Sequence, residues 1–426
     1  MRFDRALPFT LALTAAGCAA PGPCGDDAAG ECLSAASAPR DESPHVPDAT
    51  LKAVVAGNTA FALDLYQQLR APVGNLFFAP FSISEALAMT WAGARGDTAS
   101  QMATTLHFTE APAAVHPAFD ALDLALASRG QGPGGRDAHS VQLTVANGLW
   151  GQQGVPFATP FLRTLSQSYG VGIHLTDFKG APEAARSRIN AWVAGRTDGH
   201  LADLLAPGSI DPTTQLVLTN AVYFSAAWAK PFDAAETHPA PFTRSDGTTR
   251  TVPTMSGYQQ APYVQGQGYA AVALPYAGHQ LSMVLILPDA LDAFEASLSS
   301  DRLAGLLDGL SLHGVSVTLP RFKMSSNLGL ADTLSRLGMP AAFTDRADFS
   351  GMNGVGRIAL SAVAHQALVD VDETGTVAAG ATGVVIGPTS VPAPAEIHLD
   401  HPFLMVIRDD ATGTVLFLGR VEDPAS

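Results

Sequence analysis

Ala362-Val363-Ala364-His365-Gln366-Ala367-Leu368-Val369-Asp370-Val371-Asp372-Glu373 runs straight into Thr374-Gly375-Thr376-Val377-Ala378-Ala379-Gly380-Ala381-Thr382-Gly383. The first stretch reads as a long strand that ends in acids. In the second every side chain is small or β-branched. From Thr374 to Ala395 no charge occurs in 22 consecutive residues, which is unusual for a loop in water. Two readings are open: a flexible Ala/Gly/Thr linker in an alanine-rich chain, or a loop built to become a strand. With a period of two, Thr376, Ala378, Gly380 and Thr382 would face one side of a sheet. Each is small enough to slide over a packed core, and no ion would be buried on the way. Prolines begin at Pro388 and recur at Pro392 and Pro394. Because proline donates nothing to a ladder, the insertable part ends near Gly387.

The segments upstream supply sheets for such a strand. Val141, Leu143 and Val145 alternate with polar residues, as do Val315, Val317 and Leu319, while Leu216–Phe224 and Leu281–Leu287 are apolar runs of strand length. Helical spacing appears at Phe61–Leu69, ending near Pro72, at Leu87–Trp91 with Ser82 or Ser84 as its cap, at Ile189–Val193, and at Leu328–Leu337 before Gly338. Helices concentrate early and strands late, with no repeat and no regular βαβ rhythm. The class is α+β with large antiparallel or mixed sheets. The stretch 129–138 reads as a surface loop, and one domain is expected over 49–426.

The 426 residues are 47% apolar and 15% charged, with a net charge of −15. No basic cluster offsets that charge, which argues against nucleic acid or an anionic membrane as partner. Arg2 and Arg5 precede an apolar run, Leu7–Ala16, too short to span a bilayer. Residues 1–18 therefore read as an export signal. Leu13-Thr14-Ala15-Ala16-Gly17-Cys18 resembles a lipoprotein cleavage site, with Cys18 as the lipidated residue; an ordinary signal peptide cut a few residues later is the other reading. Residues 19–48, rich in Pro, Ala and Asp, read as a flexible linker. Cys24 and Cys32 lie in it with seven residues between them and could pair in an oxidising compartment. The export reading places the protein outside the cell or in the cell envelope, with a lipid anchor as its sole membrane contact.

Catalytic signatures are missing. There is no Gly-x-Ser-x-Gly elbow, no His-Glu-x-x-His and no phosphate loop. His398 and His401 are three apart, which in a strand puts them on opposite faces and disfavours a metal site. No cofactor, no metal and no enzymatic activity is expected.

Several motifs in order resemble the serpin family of protease inhibitors: Glu373–Ala381 its inhibitory hinge, Ile397-His398-Leu399-Asp400-His401-Pro402-Phe403 the signature after the loop, and Leu416–Val421 the last strand. Asn75–Ile83, Leu218–Phe224 and Trp228 with Pro231-Phe232 are similar to its central segments. The resemblance implies three β-sheets, eight or nine helices, and an exposed reactive-centre loop. It implies a sheet-opening cluster of Ser82, Asn220 and His365, and a restraining pair of Arg321 with Glu373 beside Trp228. The hinge would comprise Glu373, Gly375, Thr376, Ala378, Gly380 and Thr382. The function it implies is suicide inhibition of serine proteases by loop insertion, through a covalent acyl complex formed by a monomer. A non-inhibitory carrier of the same fold is the alternative. Counting from Glu373 puts the reactive bond at Thr389–Ser390; counting back from Pro402 gives Val391–Pro392. Thr389, Ile386 and Val385 suit an elastase- or subtilisin-like protease, not a trypsin-like one. Heparin-type activation is not expected, since the helix at Thr98–Phe108 carries no Lys or Arg.

Overall fold

The computed structural model describes residues 25–26, 32–36, 38–129, 141–355, 358–376 and 394–425. The loop expected at 129–138 lies almost wholly outside them, as do Cys18, Ala378, Gly380, Thr382, Thr389 and Ser390.

The helices come first in the chain. Helix α1 spans Asp48–Leu69 and buries Phe61, Leu65 and Tyr66 on one face. Helix α2, Pro80–Trp91, is buried along its whole length. It begins at Pro80 because proline lacks only an N–H that a first turn leaves unbonded anyway. Ser82 and Ser84 therefore lie inside the helix and do not cap it. Helices α3 (Gly96–Thr105), α4 (Pro112–Ala127), α5 (Thr159–Tyr169) and α6 (Pro182–Arg196) follow. Ten α-helices occur among the described residues, the last a single turn at Ser350–Asn353.

The strands in chain order are β1 (Gly25–Asp26), β2 (Cys32–Ser34), β3 (Leu76–Phe78), β4 (Val141–Gln152), β5 (Ile173–Thr176), β6 (Leu216–Ala227), β7 (His238–Thr243), β8 (Thr249–Gly266) and β9 (Tyr269–Pro275). They continue as β10 (Leu281–Pro288), β11 (Ser311–Pro320), β12 (Phe322–Gly329), β13 (Leu360–Val371), β14 (Gly375–Thr376), β15 (Ala395–His398), β16 (Phe403–Asp409) and β17 (Val415–Val421). The central sheet has eight strands in the order β1-β2-β5-β4-β6-β14-β13-β12. The second has nine: β15-β11-β8-β9-β10-β16-β17-β3, with β7 on β8. The expected third sheet is the β7-β8-β11-β15 part of this second sheet. The 18-residue β8 runs through both parts and joins them by hydrogen bonds.

Both faces of the central sheet are covered. Val363, Ala367, Val369 and Val371 of β13 enter the main core, whereas Ala364 and Leu368 pack with Ile189, Trp192 and Val193 of α6. This is the period-two alternation of a strand buried on both sides.

Residues 32–36 and 38–41, expected within a flexible linker, belong to the fold. Strand β2 pairs antiparallel with β5, with Leu33 opposite His174, and Arg40 binds Asp120 and Asp123 of α4 at 2.7 and 2.6 Å. An open sheet edge presents free backbone N–H and C=O groups, and composition alone does not register that template. The two histidines also differ from expectation: β15 ends at His398, and His401 lies beyond it, bonded to Asp400 at 2.8 Å.

A buried ionic knot ties the C-terminal strand to α1. Arg420 reaches Glu295 at 3.2 Å and the carbonyls of Pro72 and Gly74 at 2.8 and 2.7 Å, and Tyr66 donates to Glu295 at 2.5 Å. Arg420→Ala would leave the Glu295 charge buried without its main partner, so it should destabilise the protein by about 3–5 kcal/mol. Urea unfolding at pH 7 would measure the loss; a change under ~1 kcal/mol would show the knot to be marginal.

Candidate functional site

The strand after Glu373 is already in the central sheet. Gly375 pairs with Ala227 and Thr376 with Ala226 on β6, while Thr376 also pairs with Val371 on β13. Below this wedge β6 and β13 pair directly, in parallel, from Leu216–Leu360 to Tyr223–Leu368. The sheet is thus a Y, parted at one end by two residues and closed along the rest. After 17 residues outside those described, the chain resumes at Pro394 and enters β15, which pairs in parallel with β11 in the other sheet.

The turn that feeds the wedge is held from several sides. The Asp372 carboxylate accepts from Thr374 Oγ1 at 2.6 Å and from the Thr374 and Gly375 N–H groups at 2.8 and 3.2 Å. Gly375 has φ +156°, and a Cβ there would stand 2.1 Å from the Ala226 carbonyl oxygen, so only glycine fits. Trp228 donates from Nε1 to the Asp372 carbonyl at 3.0 Å and stacks on Tyr276 at 4.8 Å. The Tyr276 hydroxyl meets Thr376 Oγ1 at 2.8 Å. Trp228 and Tyr276 therefore close the top of the parting.

Glu373 is buried except for one edge, where Arg321 donates from Nε at 2.7 Å and Thr237 from its hydroxyl. Burial pushes this carboxyl up, but the bonds from Arg321 and Thr237 outweigh it and hold the pKa below the ordinary 4.5. The stabilisation is present above that value and is lost as pH falls through it. Arg321 is half exposed, so the pair contributes only about 1 kcal/mol.

Midway down the closed part, three polar residues stand side by side. Asn147 of β4, Asn220 of β6 and His365 of β13 are register partners across three adjacent strands. Ser82, one turn into α2, meets them from below. His365 Nδ1 bonds to Asn220 Oδ1 at 2.5 Å, and the Ala79 N–H donates to His365 Nε2 at 3.2 Å. That acceptor role leaves Nε2 without a proton and puts the proton on Nδ1. Asn220 Nδ2 donates to both Ser82 Oγ and Asn147 Oδ1, and Asn147 Nδ2 donates to Glu85 at 2.7 Å. Burial drives the Glu85 carboxyl well up from the ordinary range, and it lowers the pKa of His365 to about 3. Asn147 and Glu85 were not singled out in the sequence. Their signal there is slight: an amide at an inward position of a strand, and a carboxylate in an otherwise uncharged helix.

A strand advancing past Thr376 must break the His365–Asn220 bond, since those residues face each other across the seam. Among the described residues no group of three or more His, Cys, Asp or Glu is placed to hold a metal ion. No helix among them is long and apolar enough to cross a membrane.

These features define an α+β protein whose central sheet is wedged open by the root of its own C-terminal loop. The sequence profile described as Serpin (serine protease inhibitor) matches residues 56–424, and the chain belongs to the serpin family. It is 39% identical over 382 residues to the leukocyte elastase inhibitor of Bos taurus, covering 87% of this chain and 99% of that one. To the leukocyte elastase inhibitor of Homo sapiens it is 38% identical over 385 residues, with the same shares covered. Among solved structures it superposes on tengpin, a thermophilic serpin in the native state, with a TM-score of 0.79 at 27% identity, over 91% of this chain and 97% of that one.

The histidine makes stability depend on pH in a defined direction. An exposed histidine ring takes its proton near pH 6.5, whereas the folded ring holds out to about 3. Between those values the unfolded state binds more protons, so stability falls as pH falls from 6.5 towards 3. Urea midpoints at pH 7.5, 6 and 4.5 should decline, and His365→Gln should flatten that slope whatever its own baseline. Arg321→Gln should speed protease-independent loss of the native form a few-fold at pH 7, followed by native electrophoresis. An unchanged rate would leave Arg321 as an ordinary surface partner.

Proposed function

We propose that this chain inhibits serine proteases as a suicide substrate, with the segment after Thr376 as the strand that is consumed. The observation that carries the proposal is the two-residue wedge: Gly375 and Thr376 already lie between β6 and β13. In the sequence the residues that follow, Val377 to Gly387, are free of charge and proline. The hinge is then Glu373, Gly375, Thr376, Ala378, Gly380 and Thr382, and Ser82, Asn220 and His365, with Asn147, form the cluster that parts.

The bait is the Thr389–Ser390 bond. The serine hydroxyl of the protease adds to the Thr389 carbonyl, the amide bond breaks, and Ser390 leaves as a free amine carrying the proton. Thr389 remains as an ester on the protease serine. The freed arm then enters the sheet. Roughly a dozen new ladder bonds at ~1 kcal/mol net each supply on the order of 10 kcal/mol. The arm carries the protease with it and pulls the serine away from its histidine and oxyanion hole, so that the ester is not hydrolysed. The chain itself contributes no catalytic group. Before cleavage, breaking the His365–Asn220 bond leaves two buried polar groups unpaired, a cost of about 1–3 kcal/mol each. That cost, together with the Arg321–Glu373 pair, delays insertion until cleavage releases the arm.

Val385, Ile386 and Thr389 fit a protease with a small apolar pocket. Relatives named leukocyte elastase inhibitor support the same class of target. The apolar run before Cys18 supports export and lipid attachment at that cysteine, which would place a monomeric inhibitor at the cell envelope.

Mixed with elastase- and subtilisin-like proteases, the protein should give a complex near 1:1 that survives SDS, and release a C-terminal fragment beginning at Ser390. Thr382→Arg, which would bury a charge during insertion, should turn most of that complex into simple cleavage. Cleavage without a stable complex by the unmodified protein would overturn the proposal.

A further inference from the structure

Helix α2 carries one ionisable side chain, Glu85, and that residue is only 6% exposed. One of its carboxyl oxygens accepts the bond from Asn147 at 2.7 Å, and the other meets no donor among the described residues. A buried carboxylate without a partner is costly, and a buried acid with a free oxygen leaves a hydrogen bond unmade. Glu85 lines a cavity of about 280 Å³ bordered by α2, β4, β5 and the ends of α5 and α6. Met89, one turn along α2, and Val145 of β4 give the cavity apolar walls, and Trp192 of α6 gives it an aromatic one. Asp123, Gly170 and Arg196 stand at its mouth, where each is at least partly exposed.

The charges around the carboxyl are uneven. Asp120 and Asp123 of α4 both bind Arg40, at 2.7 and 2.6 Å. Three carboxyl groups thus lie around one guanidinium, and no cation among the described residues pairs with Glu85. Arg196 is turned to the ring of Trp192, 5.4 Å from its centre. His174 of β5 stacks on Trp150 at 4.3 Å, and the Tyr169 hydroxyl of α5 is held by His116 at 2.7 Å. Burial first, and then the charge of Asp123, push the Glu85 carboxyl well up, so that it is held as the neutral acid.

We propose that this cavity binds a small organic amine, with the ammonium group paired to Glu85 and the apolar body along Met89, Val145 and Trp192. A concave, mainly apolar space with one well-placed polar group is the general form of a small-ligand site, and this volume admits only a small one. The ammonium supplies the positive charge that the three carboxyl groups lack. On binding, Glu85 gives its proton to the solvent while the ammonium keeps its own, so each ligand bound releases one proton. A neutral molecule of the same shape forms no ion pair, and an anion is repelled by Asp120 and Asp123. Through Asn147 the bound amine sits at the end of the polar row that crosses the seam. The site does not depend on loop insertion, and failure of the inhibitor reading would leave it standing.

Phenethylamine and 2-phenylethanol share an apolar body and differ in carrying an ammonium or a hydroxyl. Each is titrated calorimetrically into the full chain at pH 6, 7 and 8, in two buffers of different ionisation enthalpy. The expected result is one phenethylamine per chain, bound at least tenfold more tightly than 2-phenylethanol, with a proton released. Affinity should rise severalfold from pH 6 to pH 8, because the acid must ionise to bind while the amine stays charged throughout. Glu85→Gln keeps an oxygen for Asn147 and should lower phenethylamine affinity at least tenfold, with no proton release and a flat pH profile. A pH effect carried by His174 would persist in that variant and would overturn the assignment to Glu85. Val145→Phe, which fills the apolar side and leaves the carboxyl in place, should also lose binding. Absence of saturable phenethylamine binding, equal affinity for the two compounds, or undiminished binding by Glu85→Gln would overturn the site. Should Glu85→Gln not fold, Val145→Phe and the comparison of the two compounds decide.

Discussion

Everything in this molecule turns on the seam between β6 and β13. Along it two parallel strands are bonded directly, and at its upper end two residues of a third strand have already been admitted. Both faces of the seam are buried, one by the main core and the other by α6. A strand that enters there gains ladder bonds on both sides and exposes nothing, provided that its side chains are small and neutral. The absence of charge between Thr374 and Ala395 is the loop's answer to that constraint.

A seam that opened at every fluctuation would exhaust the protein before it met a target. On the proposed function, the polar row Asn147–Asn220–His365 is what opposes that without sealing the seam for good. Apolar side chains in its place would separate with little directional resistance. Hydrogen-bonded ones resist until both partners are lost together. The row depends on a neutral imidazole with its proton on Nδ1, a state enforced by burial and by the Ala79 N–H. Trp228 and Tyr276 close the upper end by shape, and the Arg321–Glu373 pair adds a small, screened contribution at the surface.

Strand periodicity was plain wherever a strand is buried on one or both faces. Val141–Val145, Leu216–Phe224, Leu281–Leu287 and Ala362–Leu368 all lie in observed strands, because burial demands alternation or a continuous apolar run. Local chemistry misled at α2, where Ser82 looked like a cap and instead points from inside the helix into the polar row. Asn147 and Glu85 carry little local signal, since the register of β4 on β6 is what sets Asn147 beside Asn220, with Glu85 of α2 bonded to it. Residues 32–41 read as part of a tether because the stretch 19–48 around them is rich in Pro, Ala and Asp. Their order comes from the open edge of β5 and from two carboxylates some eighty residues away.

The lack of charge and the placing of prolines after Glu373 are properties of composition and order alone, and the strand expected there is seen at its root, Gly375–Thr376. The family resemblance, carried by several motifs in sequence, set the fold class in the same way. What the sequence could not contain was which contacts hold the strand back. The candidates are residues brought together from α2, β4, β6 and β13. Their pairing depends on register and on distance in space, and neither is a property of any local run of residues.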